Sequence, residues 1–267
     1  MDLSVVITTK NEADNISACI RPFARVKDRV EVLVVDNGST DATKALAAAA
    51  GARVFDKGPE RSAQRNFGWR AASAPWTLVL DADMILPDET VDEILSVAVP
   101  GSPLDACWIP EVRTGDGFRV KARNFERSFY NGTAIDALRL FRKEILEKTG
   151  GYDEHLLAGP EDWDLDLRIL AAGAKCAVLK HHLLHNEKRL SFKRMLEKKA
   201  YYSKSMAVYR AKWPGHPSVR KQFSPWYRFA GVFLERGGWR RILRHPVLSA
   251  GVLFERFAVG LTYLLNR

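Results

Sequence analysis

Val32-Leu33-Val34-Val35-Asp36-Asn37-Gly38-Ser39-Thr40-Asp41 is the stretch from which the fold is read. Four consecutive apolar residues, three of them β-branched, describe a strand buried on both faces, because a strand with one wet face would alternate. The run breaks at Asp36 into residues that favour turns, and these cap a helix expected over Ala42–Ala50. The same unit recurs on either side. Residues 4–9 form an apolar strand that leads through Lys10-Asn11-Glu12 into a helix at Ala13–Phe23. Arg53-Val54-Phe55 precedes a helix over Ser62–Ala72, and Trp76-Thr77-Leu78-Val79-Leu80 ends at Asp81-Ala82-Asp83. Short apolar strands alternating with helices predict an α/β fold whose mixed, largely parallel sheet is flanked by helices.

Farther along the chain the pattern loosens. Cys107–Val112 and Ala137–Phe141 read as strands, Asp162–Ala172 as a helix ended by Gly173, and Lys175–Leu184 as a last strand region. Ser191–Lys212 reads as a long basic helix stopped by Pro214-Gly215. The expected organisation is an α/β catalytic domain over residues 1–212 and a basic amphipathic tail over 213–267.

Composition narrows the class. With 267 residues, 46% hydrophobic and 27% charged, the chain is globular rather than disordered. Cys19, Cys107 and Cys176 are far apart and form no CxxC pair, which argues against a zinc ribbon or a disulfide framework; all three are expected in a reduced core. No apolar leader opens the chain, so a cytoplasmic location is expected. The net charge of +9 is uneven: residues 1–180 carry 23 Lys and Arg against 28 Asp and Glu, and residues 181–267 carry 18 against 4. The basic end therefore expects an anionic partner.

Ligands of open α/β sheets bind where strands end at their carboxyl edge. Here Asn11-Glu12, Asp36 and Asp81-Ala82-Asp83 follow three strands. Clustered carboxylates repel unless a cation lies among them, and an oxygen-rich set suits Mg²⁺ or Mn²⁺ bridging a diphosphate. Neither a Walker A nor a GxGxxG sequence is present. Asp-x-Asp by itself is a weak signal, since a helix N-cap with a solvated acid gives the same triplet.

The order of the pieces is more specific than any one of them. Ser4–Glu12, Val34–Asp41, Ala63-Gln64-Arg65-Asn66-Phe67-Gly68, Asp81-Ala82-Asp83, Gly150-Gly151-Tyr152-Asp153-Glu154 and Gly159-Pro160-Glu161-Asp162-Trp163-Asp164-Leu165 together resemble the family 2 glycosyltransferases over roughly residues 1–190. The resemblance implies a GT-A (Rossmann-like) fold and an inverting, metal-dependent transferase. By matching positions it implies that Thr8, Glu12 and Asp36 contact the base and ribose of a nucleoside diphosphate sugar and that Arg65 helps hold the nucleotide. It also implies that Asp81 and Asp83 form the DXD motif and that His185 joins them on Mg²⁺ or Mn²⁺. Thr8-Thr9-Lys10-Asn11-Glu12 departs from the family's usual Pro-Thr-Tyr-Asn-Glu at the base-stacking position.

Displacement at the anomeric carbon needs a carboxylate opposite the leaving diphosphate to accept the acceptor's proton. Asp162, at the start of a helix, is the expected base, with Glu161 assigned to the acceptor; a plain acidic N-cap is the alternative.

The tail interleaves aromatics with arginines in Pro225-Trp226-Tyr227-Arg228-Phe229 and Trp239-Arg240-Arg241-Ile242-Leu243-Arg244. No nucleic-acid motif accompanies the charge, so an anionic membrane surface is the expected partner and nucleic acid is not. Pro246–Leu265 is nearly all apolar but for Glu255-Arg256, a pair that makes spanning costly. A helix lying in the interface is expected, which places a peripheral or monotopic protein on the cytoplasmic face of the membrane; packing on the domain or on a dimer partner is the alternative. The whole predicts transfer from a nucleoside diphosphate sugar to a membrane-bound, polyprenyl-linked saccharide. A polyprenyl-phosphate sugar synthase and a non-catalytic sugar-nucleotide binder are the alternatives.

Overall fold

β1 (Leu3–Thr9) is buried at every position, as a continuous apolar run requires when both faces of a sheet are covered. The computed structural model to which it belongs describes residues 1–157, 159–186 and 205–265, with side chains of the final helix described to Arg256. β1 pairs in parallel with β2 (Val30–Asp36) on one side and β4 (Trp76–Asp81) on the other. β3 (Arg53–Asp56) extends the sheet beyond β2. β8 (Leu138–Arg142) runs antiparallel to β4, and β6 (Ala106–Trp108) and β9 (Cys176–Val178) follow, giving the order β3-β2-β1-β4-β8-β6-β9. A second sheet places β10 (Leu183–His185) between β5 (Met84–Ile85) and β7 (Glu111–Arg113).

Helices α1 (Ile16–Ile20), α2 (Thr43–Ala49), α3 (Arg61–Ala71), α4 (Asp88–Val97), α5 (Phe118–Arg127), α6 (Lys143–Thr149) and α7 (Glu161–Ala171) connect and cover the strands. α3 lies hard on β1: a Cβ on Gly68 would stand 2.2 Å from Val6 Cγ1, so only glycine lets the helix approach this closely. That approach brings Gln64 and Arg65 to the strand ends. The sheet carries two apolar clusters, one around β1, β4 and α4 and one around Trp69, Phe141, Tyr152 and Ile169, and two smaller ones lie where the tail packs, around Phe129 and Phe233 and around Leu167 and Val219.

Several boundaries differ from the sequence reading. The helix expected over Ala13–Phe23 is α1 followed by a 3₁₀ turn at Arg21–Val26, because Pro22 lacks the donor an α-helix needs there. Cys107–Val112 divides at Pro110 into β6 and β7, which enter different sheets, and Lys175–Leu184 divides into β9 and β10. Of the helix expected over Ser191–Lys212, residues 191–204 lie outside the described residues, and 205–212 is helical. Cys19 and Cys107 are buried, and Cys176 is half-buried rather than in the core; all three are free.

The tail forms α8 (Pro217–Phe223), α9 (Trp239–Arg244) and α10 (Pro246–Leu265). α10 packs on α5. Arg256 bonds Glu126 Oε1 at 2.6 Å and the Tyr130 hydroxyl at 2.6 Å, and its guanidinium stacks 4.6 Å from the Phe233 ring centre. Glu255 meets Arg119 and Arg123 at 3.0 and 3.4 Å. A Cβ on Gly251 would stand 2.7 Å from the Phe118 ring, so the helices touch along that line. The charged pair that interrupts the apolar run is therefore the face α10 turns to the domain.

Candidate active site

Register sets the geometry. Thr8 pairs with Asp81 and Thr9 with Asp36, so two strand-end acids flank the end of β1. Thr8 Oγ1 donates to Asp81 Oδ1 at 3.0 Å. The loops after β1 and β2 are bonded together. The backbone N–H of Asn11 donates to Ser39 Oγ at 2.8 Å, that of Thr40 to Asn11 Oδ1 at 2.9 Å, and that of Glu12 to Thr43 Oγ1 at 2.8 Å. Asn11 has φ 53°, in the left-handed region asparagine tolerates. Gln64 closes the edge from α3, donating to Val35 O at 2.6 Å and Thr9 O at 3.1 Å.

Arg65 is the hub. With a fully buried side chain, it meets Asp162 Oδ1 at 2.5 Å, Asp81 Oδ1 at 3.2 Å and Glu161 Oε1 at 3.5 Å. It thereby joins the end of β4 to the start of α7. Burial opposes ionisation of Asp81, yet Arg61, Arg65 and Arg139 outweigh it and hold that carboxyl well below the usual range. Burial, with Asp162 beside it, pushes Glu161 up to about 7. Burial and Asp162 likewise push up Asp166, one turn along α7.

A second chain of contacts runs through Asp83. His185 Nε2 lies 3.3 Å from Asp83 Oδ2, and its Nδ1 lies 3.9 Å from Glu111. Burial would lower the imidazole, but bonds to Asp83 and Glu111 bring it up to about 9. Glu111 is anchored by Arg139 at 2.8 Å and Arg127 at 3.2 Å. Asn186 bonds Asn15 at 2.8 Å, and Asn15 bonds Glu12 at 2.7 Å, which ties this end to the loop after β1.

The expected residues thus share one edge, with three changes of part. Arg65 has no exposed surface to offer a nucleotide; it fixes Asp81 and Asp162, and Arg61, one turn earlier, also meets Asp81 and is 33% exposed. Glu161, 1% exposed, accepts from the Gly159 N–H and faces Arg65, so it supports the network instead of meeting an acceptor. Asp36 is also buried, and both its oxygens take bonds from Ser39. Thr8, Glu12, Asp81, Asp83, Asp162 and His185 all lie along the edge, although Asp81 turns to the arginines and Asp83 to His185. Among the described residues no group of three or more His, Cys, Asp or Glu is arranged to hold a metal. Asp83 and His185 are an oxygen and nitrogen pair that fits Mn²⁺ or Mg²⁺ once the imidazole yields its proton to solvent and diphosphate oxygens complete the set.

Arg61, Glu111 and Arg139 were not foreseen. Arg61 precedes Arg65 by four residues on one helix face, a readable signal. The glutamate inside an apparent strand at Glu111 was another; Arg139 gave none.

A mostly parallel sheet with donor loops at one edge and a carboxylate-bearing helix beside them is the GT-A arrangement of sugar-transferring enzymes. The chain belongs to Glycosyl transferase family 2, whose sequence profile matches residues 4–150. It is 28% identical over 204 residues to the succinoglycan biosynthesis protein ExoU of Rhizobium meliloti, covering 67% of this chain and 59% of that protein. The chain therefore spans less than two thirds of that relative. Its fold is similar to that of the mannosyltransferase PcManGT from Pyrobaculum calidifontis in complex with GDP-Man and Mn²⁺: TM-score 0.62, 19% identity, 99% of this chain and 80% of that one. It also resembles glucosyl-3-phosphoglycerate synthase from Mycobacterium tuberculosis in complex with Mn²⁺, UDP and glucosyl-3-phosphoglycerate: TM-score 0.59, 19% identity, 79% of each chain.

Proposed function

We propose that the chain transfers one sugar, with inversion, from a nucleoside diphosphate sugar to a saccharide held at a membrane. The observation that carries this reading is the buried Arg65, which binds the acids at the end of β4 and the start of α7 at 3.2 and 2.5 Å. One side chain thereby fixes the distance between the donor end and the base. Asp162 retains some exposure and can take the acceptor's proton as the acceptor oxygen attacks the anomeric carbon. The bond from that carbon to the diphosphate oxygen breaks, and the nucleoside diphosphate leaves with the electron pair. Thr8, Glu12 and the 37–41 turn form the nucleotide end, and Arg61 faces the diphosphate. Asp83 and His185 would hold Mg²⁺ or Mn²⁺, as the Mn²⁺ complexes of similar folds suggest. Such an ion would stabilise charge on the departing diphosphate.

The tail supports the membrane part. Phe118, Trp226, Phe229, Leu234, Trp239, Leu243, Val247, Leu253 and Phe254 are exposed, and they are most of the large exposed apolar side chains among the described residues. Arg240, Arg241 and Arg244 stand among them. An apolar trough of about 540 Å³ runs between Phe118 and Phe254. Aromatic and aliphatic side chains mixed with arginine suit the headgroup layer of an anionic bilayer. No helix among the described residues is long and apolar enough to cross a membrane.

Asp162→Asn tests the central step. Transfer should fall about 10²–10⁴-fold, while UDP or GDP with Mn²⁺ still raises Tm as in the wild type. Undiminished transfer would remove Asp162 as the base.

A further inference from the structure

Between α7 and the tail the molecule carries a second recess, of about 460 Å³, within the range of small-molecule sites. Trp108 and Trp163 line it, with Asp166 between them: Trp108 Nε1 donates to Asp166 Oδ2 at 3.3 Å. Thr133 stands on one side, Leu170 comes from α7, and Ser218 and Arg236 come from the tail.

Its position follows from topology. β4 and β6 are both antiparallel to β8, so Trp108, the last residue of β6, lies at the same sheet edge as Asp81. The donor loops follow β1 and β2, on one flank of β4, and the recess lies beyond β8, on the other. α7 stands at the divide. Trp163 directly follows Asp162, and Asp166 is one turn on from it. Displacement with inversion requires the acceptor oxygen to reach the anomeric carbon from the face opposite the leaving diphosphate, and the recess lies on the flank of β4 away from the donor loops.

The lining also selects a chemistry. A pyranose has apolar C–H faces and a rim of hydroxyls, and it matches indole faces bordered by hydrogen-bonding groups. Lys221 and Glu235, also in the lining, are ion-paired to each other, and the Arg236 guanidinium is engaged by backbone carbonyls. The charged groups of the lining thus already have partners within the protein, which suits a neutral ligand better than a second phosphate. Arg236 is a non-glycine residue at φ 52°, and its guanidinium donates to the carbonyls of Asn131 and Gly132 at 3.1 and 2.6 Å. The tail is thus fastened across the turn that precedes β8, which keeps the recess walled on that side.

We propose that this recess binds the terminal sugar of the acceptor glycan, stacked on tryptophan, and that the tail forms one wall of the acceptor site. The assignment rests on the transferase reading above and adds to it where the acceptor sits. The tail then has two tasks, to meet the membrane and to complete the site.

The test uses the full chain without nucleotide and a panel of methyl glycosides of glucose, galactose, mannose and N-acetylglucosamine, with binding read by saturation-transfer NMR. Wild type should saturate the ring protons of at least one glycoside, and excess UDP or GDP with Mn²⁺ should not displace it. Ser218→Phe fills the recess from the tail and Leu170→Trp fills it from α7; each should abolish saturation while Tm and the nucleotide-induced rise in Tm stay at wild-type values. Two substitutions from opposite walls guard against a folding defect in either one. No saturation by any glycoside, displacement by the nucleotide, or unchanged binding in both variants would overturn the assignment. Failure of the transferase reading shows separately, as a chain whose Tm no nucleotide raises.

Discussion

The sheet edge and the tail both depend on arginine, and they use it in opposite ways. At the edge Arg65 is wholly buried, and its charge is met by Asp81, Glu161 and Asp162. In the tail Arg241 lies 4.4 Å from the Phe129 ring centre and Arg256 lies 4.6 Å from that of Phe233, with exposed apolar side chains close by. The first arrangement converts charge into fixed distances between carboxylates. The second leaves a surface that is both cationic and greasy. Position in the chain decides which occurs: the edge collects polar residues because strands end there, whereas the last helix of the tail packs on α5 along one side and leaves Leu253 and Phe254 exposed on the other.

If this contrast is right, perturbing one region should leave the other untouched. Chelation by EDTA should have the largest effect, lowering turnover roughly 10²–10⁴-fold through the loss of several kcal/mol of charge stabilisation. Added Mg²⁺ or Mn²⁺ should restore turnover, and binding to vesicles should not change. Turnover that persists in chelator would break the metal half of the comparison. Arg65→Met comes next. It strands three acids in a buried network and should cost about 3–5 kcal/mol in urea denaturation; a loss under about 1 kcal/mol would show that the acids hold one another without it.

On the other side, Leu243→Ser with Phe254→Ser should weaken binding to vesicles containing phosphatidylserine by about 3 kcal/mol, roughly 10²-fold in partition. Nucleotide binding should be unchanged, and equal vesicle binding by both forms would place the docking face elsewhere. The smallest effect concerns Glu161. Its carboxyl is raised to about 7 by burial and by Asp162, so the folded state holds that proton more tightly than the unfolded chain. The resulting stability is complete below the ordinary glutamate value and is lost as pH rises through about 7. Tm of the wild type should therefore decline between pH 5 and pH 8 relative to Glu161→Gln. Parallel profiles would mean that Glu161 titrates as an ordinary carboxyl.

The edge was largely legible in the sequence. Val32–Val35 and Trp76–Leu80 are uninterrupted apolar runs, and each ends in an acid that the structure places beside β1. The second half was less so, because short strands give little periodicity: β6 and β7 have three residues each and part company at Pro110. α4 was passed over, although Pro87-Asp88-Glu89 opens it and Val91, Ile94 and Leu95 line its inner face. The side-chain partnerships were hidden for another reason. That Arg65 would face inward, or that Glu111 would reach His185, depends on how helices and sheets stack, which no local pattern records. Glu255-Arg256 shows the same limit: an isolated charged pair in an apolar run signals a cost, and only its neighbours on α5 show how that cost is met.

The close seating of α10 on α5 bears on how a soluble form of this protein should be prepared. Cutting the chain before Pro225 would strip the cover from Ala122 and Phe129 and leave Glu126 without Arg256. The shortened protein would lose the proposed docking surface and expose core apolar side chains, which favours self-aggregation and proteolysis. Polar replacements at outward positions such as Leu243, Val247 and Phe254, with Arg241, Gly251 and Arg256 kept, would remove the exposed apolar surface and leave the lining beneath it intact.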